Sequence, residues 1–203
     1  MALQKNVYKN EFDKKISLGF YRYYMLRNSF FMYFFTVFGL LALFMLVSGG
    51  FKNEESTSTY YLMWVIAVLG IVFVPSYTFI NIHMSARRDY KRRNGTIEVC
   101  EFSKEKVIRQ ETTKGGKMVI NWVNITKVIE VNDAFYIFLG NDEAFTVAKS
   151  GLIEGSIEST RNLMKTYLKP DDKGRLPLKI KDKAYLQEQK ELRKQAKLAK
   201  RNK

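Results

Sequence analysis

The chain has 203 residues, with 34 Lys and Arg against 20 Asp and Glu, a net charge of +14, and a single Cys and a single His. One cysteine excludes an internal disulfide, and one cysteine with one histidine excludes the common zinc ligand sets. The charges avoid two long stretches, 28–51 and 56–86, which contain no Asp, Glu, Lys or Arg.

In chain order, residues 1–28 form an N-terminal segment carrying Lys5, Lys9, Lys14, Lys15, Arg22 and Arg27. Its aromatic group Phe20, Tyr21, Tyr23 and Tyr24 suits the headgroup zone of a bilayer. Residues 29–50 are apolar on every side, which rules out an ordinary amphipathic surface helix. A bilayer core of about 30 Å is crossed by about 20 apolar residues in helix, so this stretch reads as a transmembrane helix. A cleaved signal peptide fits poorly, because the run begins well inside the chain and has no small-x-small site before Gly49. A short extracytoplasmic loop at 51–59 follows, with Lys52, Glu54 and Glu55.

The second span covers 60–84 and is interrupted only by Pro75, whose freed carbonyl the Ser76 and Thr78 hydroxyls are placed to satisfy. Neither span has two small residues spaced at four, so the usual close-approach dimer motif is missing and oligomeric state stays open. His83 lies near the end of the second span with no second titratable group inside the membrane to relay a proton. Beyond it come Arg87, Arg88, Lys91, Arg92 and Arg93, which are candidate contacts with an anionic membrane surface. Positive charge on both outer flanks predicts two passes with both termini cytoplasmic.

From 85 to 169 the texture changes to short alternating segments. Asn94-Gly95 is a turn dipeptide. Strands are expected at Thr96–Phe102, around Val107 and Ile108, at Met118–Trp122, Ile125–Val131, Ala134–Leu139 and Ala144–Ala148. Lys114-Gly115-Gly116-Lys117 and Gly140-Asn141-Asp142 supply tight turns between them. These gaps are too short for parallel crossovers, so the strands form an antiparallel meander. Cys100 reads as a small buried hydrophobe in the first strand. A helix is expected from Glu154 to Leu168, with Ile153, Ile157, Met164, Tyr167 and Leu168 at helical spacing. The fold class is therefore an α+β membrane protein: a two-helix hairpin and a small antiparallel sheet capped by one helix, with a roll of pleckstrin-homology type among the plans that fit.

Residues 170–203 form a basic tail, helix-favouring from Asp182 to Arg201, in which twelve Lys and Arg among residues 171–203 outnumber five Asp and Glu. Much of the net charge therefore suits an anionic membrane surface or an acidic partner. With few aromatics to stack on bases, the tail gives little support to RNA binding.

The block from Ile120 to Leu139, then Ala144–Lys149 and the helix after it, resembles the YcxB-like family of bacterial membrane proteins, as do Tyr8–Phe12 and Tyr23–Arg27 near the start. The resemblance implies two spans followed by a cytoplasmic pleckstrin-homology-like domain in a bacterial cell membrane. It also implies that residues 6–15 pair as a strand with that domain. Trp122 would be core, and Lys149 would match a lysine ending the last strand. Lys149 and Asn162 mark a candidate partner-binding corner, although Ser150 and Gly151 replace the bulky or basic residues that often follow that lysine.

No catalytic constellation is legible. The single His lies at the membrane, Cys100 is mid-strand, Lys114–Lys117 matches no phosphate-binding loop, and Asp142 with Glu143 reads as a solvated turn. The spans also lack buried charges of the kind that mark ion paths. No enzyme activity, cofactor or metal is expected. Two functions fit: a membrane-anchored binding module acting as a regulatory or scaffolding subunit for a protein or lipid partner, or an immunity protein against a membrane-active toxin.

Overall fold

The computed structural model describes residues 5–48, 57–112, 115–140 and 143–201. Residues 51–56 of the expected loop, Lys114 of the first hairpin turn and Asn141 and Asp142 of the last lie outside the described residues. The chain divides into two compact units, one formed by Ser17–Arg92 and the other by Met1–Ile16 with Arg93–Lys203.

In the first unit, most of helix α1 (Lys14–Asn28) leads to α2 (Phe30–Val47), then to α3 (Thr57–Val68), a π turn (Leu69–Phe73) and α4 (Val74–Arg93). Two helical stretches, Phe30–Val47 and Ser58–Arg93, are long and apolar enough to cross a membrane. The second continues past the boundary expected at 84. A serine-to-acid contact joins α1 to α4, where the buried Ser17 hydroxyl donates to Asp89 at 3.4 Å. Along α1, Phe20 stacks on Tyr24 one turn later at 6.0 Å.

The π turn explains how the second stretch tolerates Pro75. Proline has no N–H to give the carbonyl four residues back, and just before it the Val74 N–H reaches back five residues to Leu69 instead. The hydroxyl repair expected from Ser76 and Thr78 takes another form: Thr78 donates to the Val74 carbonyl at 3.0 Å. A widened turn needs room, and α2 supplies it through Gly39. A Cβ built on Gly39 would lie 3.0 Å from the Gly70 Cα, and one on Gly70 would lie 2.9 Å from the Gly39 Cα. Ala42 and Ala67 are buried alongside. Each helix thus presents two small residues three apart, a spacing that a search at four passes over.

The second unit is built from two sheets. One has the order β4-β3-β2-β1-β8, from β1 (Asn6–Glu11), β2 (Ile97–Phe102), β3 (Lys106–Glu111), β4 (Lys117–Asn121) and β8 (Leu152–Glu154). The other has the order β7-β6-β5-β9, from β5 (Ile125–Glu130), β6 (Ala134–Leu139), β7 (Glu143–Ala148) and β9 (Leu178–Ile180). Strand β1 pairs antiparallel with β2, Tyr8 facing Cys100, and with β8 on its other side. The pairing that the resemblance implied for residues 6–15 is present over 6–11.

Three features depart from the simple meander, the first being that β4 and β5 do not pair, so the one expected sheet is two, divided at the 3-10 turn Trp122–Asn124. Glu154, the expected first residue of the helix, instead ends β8, because Leu152 and Glu154 pair with Tyr8 and Val7, which leaves Ile153 63% exposed. Strand β9 lies in the stretch read as tail and pairs in parallel with β5, Val128 against Leu178. Helix α5 (Ile157–Tyr167) starts at an N-cap where the Ser156 side chain accepts from the Ser159 N–H at 3.0 Å. It lays Leu163 and Met164 on a core that includes Tyr8, Phe102, Val107, Trp122, Val128, Phe135, Ile137 and Val147. Tyr8 sits at the crossing of the sheets, edge-on to Phe102 at 5.6 Å and Phe135 at 6.2 Å, with its hydroxyl 2.7 Å from that of Thr160 on α5. Helix α6 (Lys183–Arg201) closes the described chain.

Candidate functional site

Four charged side chains meet inside the second unit. Glu130 ends β5 and is fully buried, Lys149 stands in the turn after β7, Arg161 lies on the inner face of α5, and Asp182 precedes α6. Arg161 grips Glu130 through Nε at 2.8 and 2.9 Å and through Nη2 at 2.7 Å. The Lys149 ammonium donates to Glu130 Oε1 at 2.6 Å and to Asp182 Oδ2 at 2.5 Å. Arg161 also approaches Asp182 at 3.7 Å.

Two cations and two anions make the cluster neutral, which is how buried charge becomes tolerable. Its periphery is closed as well. The Arg161 guanidinium lies 4.1 Å from the centre of the Tyr185 ring, and the Lys149 ammonium 5.2 Å from that of Phe135. Asp182 caps α6 by accepting from the Tyr185 N–H at 3.2 Å. Burial opposes ionisation of Asp182, but the Lys149 hydrogen bond, the Tyr185 N–H and the Lys149 and Arg161 charges outweigh it and hold its carboxyl below the ordinary value. Among the described residues, no buried side-chain polar atom lacks a hydrogen-bond partner.

Chemically the quartet binds the chain to itself. It fastens the segment after β9 to the sheet, with help from Lys181 N–H to the Glu130 carbonyl at 2.7 Å and Lys183 N–H to the Asn132 side chain at 2.9 Å. The corner expected at Lys149 and Asn162 is divided by this arrangement: Lys149 is buried and ion-paired, whereas Asn162 is exposed on α5. Gly151 is explained by packing, since a Cβ there would collide with the Lys9 carbonyl and the Asn10 side chain of β1.

A second, smaller ion cluster stands at the start of β2. Glu98, on the inner face beside Cys100 and Phe102, accepts from Arg109 at 2.8 and 3.0 Å and pairs with Arg93. The Arg93 guanidinium lies 4.5 Å from the centre of the Phe12 ring. Of the five basic residues read as membrane-surface contacts, Arg87, Arg88, Lys91 and Arg92 are exposed, while Arg93 is half-buried in this cluster. Burial disfavours the Glu98 carboxylate, but the hydrogen bond and charge of Arg109, then those of Arg93, bring its pKa below the usual value.

The signs for Glu98 and Asp182 agree. Each folded-state pKa is below the unfolded value of about 4, so the unfolded chain takes up protons first on acidification. Their stabilisation is intact above about pH 4 and is lost as pH falls through the folded values. Thermal unfolding followed from pH 7 to pH 2 is expected to show this acid limb, and Glu98→Gln is expected to flatten it. An unchanged acid limb in that variant would count against the ion cluster as its origin.

Burial is the largest cause of an upward shift in the Cys100 thiol. Because the thiolate is the reactive form, maleimide is expected to modify Cys100 only after denaturation. Rapid labelling of the native protein, read by mass spectrometry, would contradict its placement.

One open feature of this unit is a shallow groove lined by Met118, Val119, Val123, Asn124, Thr126 and Leu139 among others. Val119 and Val123 are more than half exposed. Strands β4 and β7 each end a sheet, and the groove draws residues from both. Among the described residues, no group of three or more His, Cys, Asp or Glu is placed to hold a metal ion.

The sequence reading missed the quartet, although one signal was present: Arg161 falls on the same helical stripe as Ile157 and Met164, at spacings of four and three. No curated protein and no solved structure matches the chain. Residues 102–164, from the end of β2 into α5 and including Glu130, Lys149 and Arg161, match the family model described as YcxB-like protein.

Proposed function

We propose that this protein is a membrane-anchored binding module: a two-pass hairpin in a bacterial cell membrane holds a pleckstrin-homology-like body at the cytoplasmic face, where it serves as a regulatory or scaffolding subunit. The observation that carries the reading is the pairing of β1 with β2 and β8. Strand β1 precedes the hairpin and the other two follow it, so a hairpin that crosses the membrane twice returns both ends to one side. The exposed Arg87, Arg88, Lys91 and Arg92 favour the cytoplasmic side for those ends.

The reading is non-enzymatic: the buried charges of the quartet pair with one another, and the groove beside β4 is lined mainly by apolar residues. The partner we infer is a protein that lays an extended segment along β4, where unpaired edge backbone and the exposed Met118, Val119 and Val123 lie together. The test is crosslinking of the full chain in native membranes, with crosslinks mapped by mass spectrometry. A partner joined at residues 117–124 and lost in a Val119→Asp, Val123→Asp variant supports the module. Recovery without a partner, or a partner indifferent to the variant, would sink it. Toxin sensitivity that rises on deletion while no partner is found would favour the immunity role instead. Topology is checked separately: a cysteine at Asn53 should label on intact cells, and one at Asn162 only after permeabilisation.

A further inference from the structure

Helix α6 is held firmly at its first turn and nowhere else along residues 186–197 is it buried. Asp182 is locked in the quartet and Tyr185 covers Arg161, but from Leu186 to Lys197 the side chains are exposed or only half-buried. Its charges are sorted by face. At 3.6 residues per turn, Arg193, Lys197, Lys190, Lys183 and Lys194 fall within an arc of about 100°, and all five are exposed. Glu188 and Glu191 lie on the rest of the circumference, while Leu186, 41% exposed, falls inside the basic arc. Tyr185 lies about 130° from the centre of that arc, so the side of the first turn that meets Arg161 is not the basic one.

We propose that α6 lies along an anionic lipid surface through this arc, with the quartet as the fixed end of the arm. The proposal rests on the reading of the hairpin as membrane-spanning. A chain continuous with two spans keeps a bilayer within reach at high effective concentration. Five cations on one face match a surface of anionic headgroups, each raising the ratio of docked to free helix about fivefold when close to it. Leu186 gives the arc an apolar side chain for the interface. A nucleic-acid partner would call for stacking aromatics, and Tyr185, the one aromatic between Lys183 and Lys197, is engaged with Arg161.

The test uses the full chain in lipid nanodiscs, with an environment-sensitive fluorophore on Leu186→Cys. Cys100 is buried, so the label goes to the new site. Discs of phosphatidylcholine alone are compared with discs containing about a third phosphatidylglycerol. The expected result is a blue shift, and quenching by doxyl-labelled lipid, in the anionic discs only. Salt near 0.5 M should reverse both, because screening shortens the reach of surface charge to a few ångströms. Changing Lys190 and Lys194 to Gln should lower the ratio of docked to free helix about 25-fold, and both positions are exposed enough for folding to survive the change.

The same signal in neutral discs, or in the Lys190, Lys194 variant, would overturn the proposal. So would protection of the label by added RNA or by an acidic polypeptide in neutral discs, with none from anionic lipid. Protein that enters the discs but shows no response to lipid charge removes this inference alone. Protein that fails to enter the discs removes the membrane reading and this inference together.

Discussion

Replacing Glu130 with Ala is expected to lower the stability of the two-sheet unit by about 3–5 kcal/mol, the cost of leaving buried charge without its counterion. Glu130 is the shared acceptor of Arg161 and Lys149 and has no exposure to solvent. Its loss leaves two buried cations facing the one carboxylate of Asp182. Denaturant unfolding of the detergent-solubilised protein, followed by fluorescence of the buried Trp122, measures the effect. A loss below about 1 kcal/mol would show that water or a side-chain shift satisfies the cations. Replacing the acids and bases together with apolar residues of similar volume is expected to cost far less than the single change, because no unpaired charge remains. The same mechanism makes Asp182→Asn informative. It weakens the cap of α6 and the Lys149 ion pair at once, so amide exchange at 178–186 should rise while that of β2 and β3 stays unchanged.

The second large effect is expected at Gly70. Changing it to Val should separate α2 from the π turn, because a Cβ there meets the Phe35 carbonyl oxygen and the Gly39 Cα and N, which are backbone atoms that cannot rotate away. Overpacking of this kind costs about 1–3 kcal/mol when neighbours can shift, and more is expected against backbone. Thermal stability in detergent, with disulfide trapping between cysteines placed at Ala42 and Ala67, reads the change. Efficient trapping in wild type and equal trapping in Gly70→Val would refute the contact. Gly39→Ala is the milder companion, since its Cβ would sit 3.0 Å from the Gly70 Cα, and a smaller loss is expected.

The glycine contact and the quartet also differ in how visible they were before folding. The sequence by itself determined the two apolar helical stretches, because twenty or so residues without charge leave few structural alternatives. It determined most strands of the two sheets as well: alternation places Cys100 and Phe102 on one face of β2, and both are buried. The helix after the last hairpin was legible from its apolar spacing, and the lysine-rich stretch after Asp182 from its helix-forming residues. Local periodicity suffices wherever one face of a segment is buried and the other is not.

Only the tertiary structure decided the rest. Three residues at Leu178–Ile180 carry too little pattern to announce a strand, and their parallel partner β5 lies almost fifty residues earlier. The π turn was hidden for a similar reason, since Pro75 signals a break but not its form. Gly39 and Gly70 look like isolated small residues until the hairpin sets them face to face. The buried quartet is the furthest from sequence. Glu130, Lys149, Arg161 and Asp182 each read singly as surface charges, the ordinary place for such side chains. Burial becomes affordable only when four separate elements bring opposite charges within hydrogen-bond distance, and that distance is a property of the fold rather than of any segment in it.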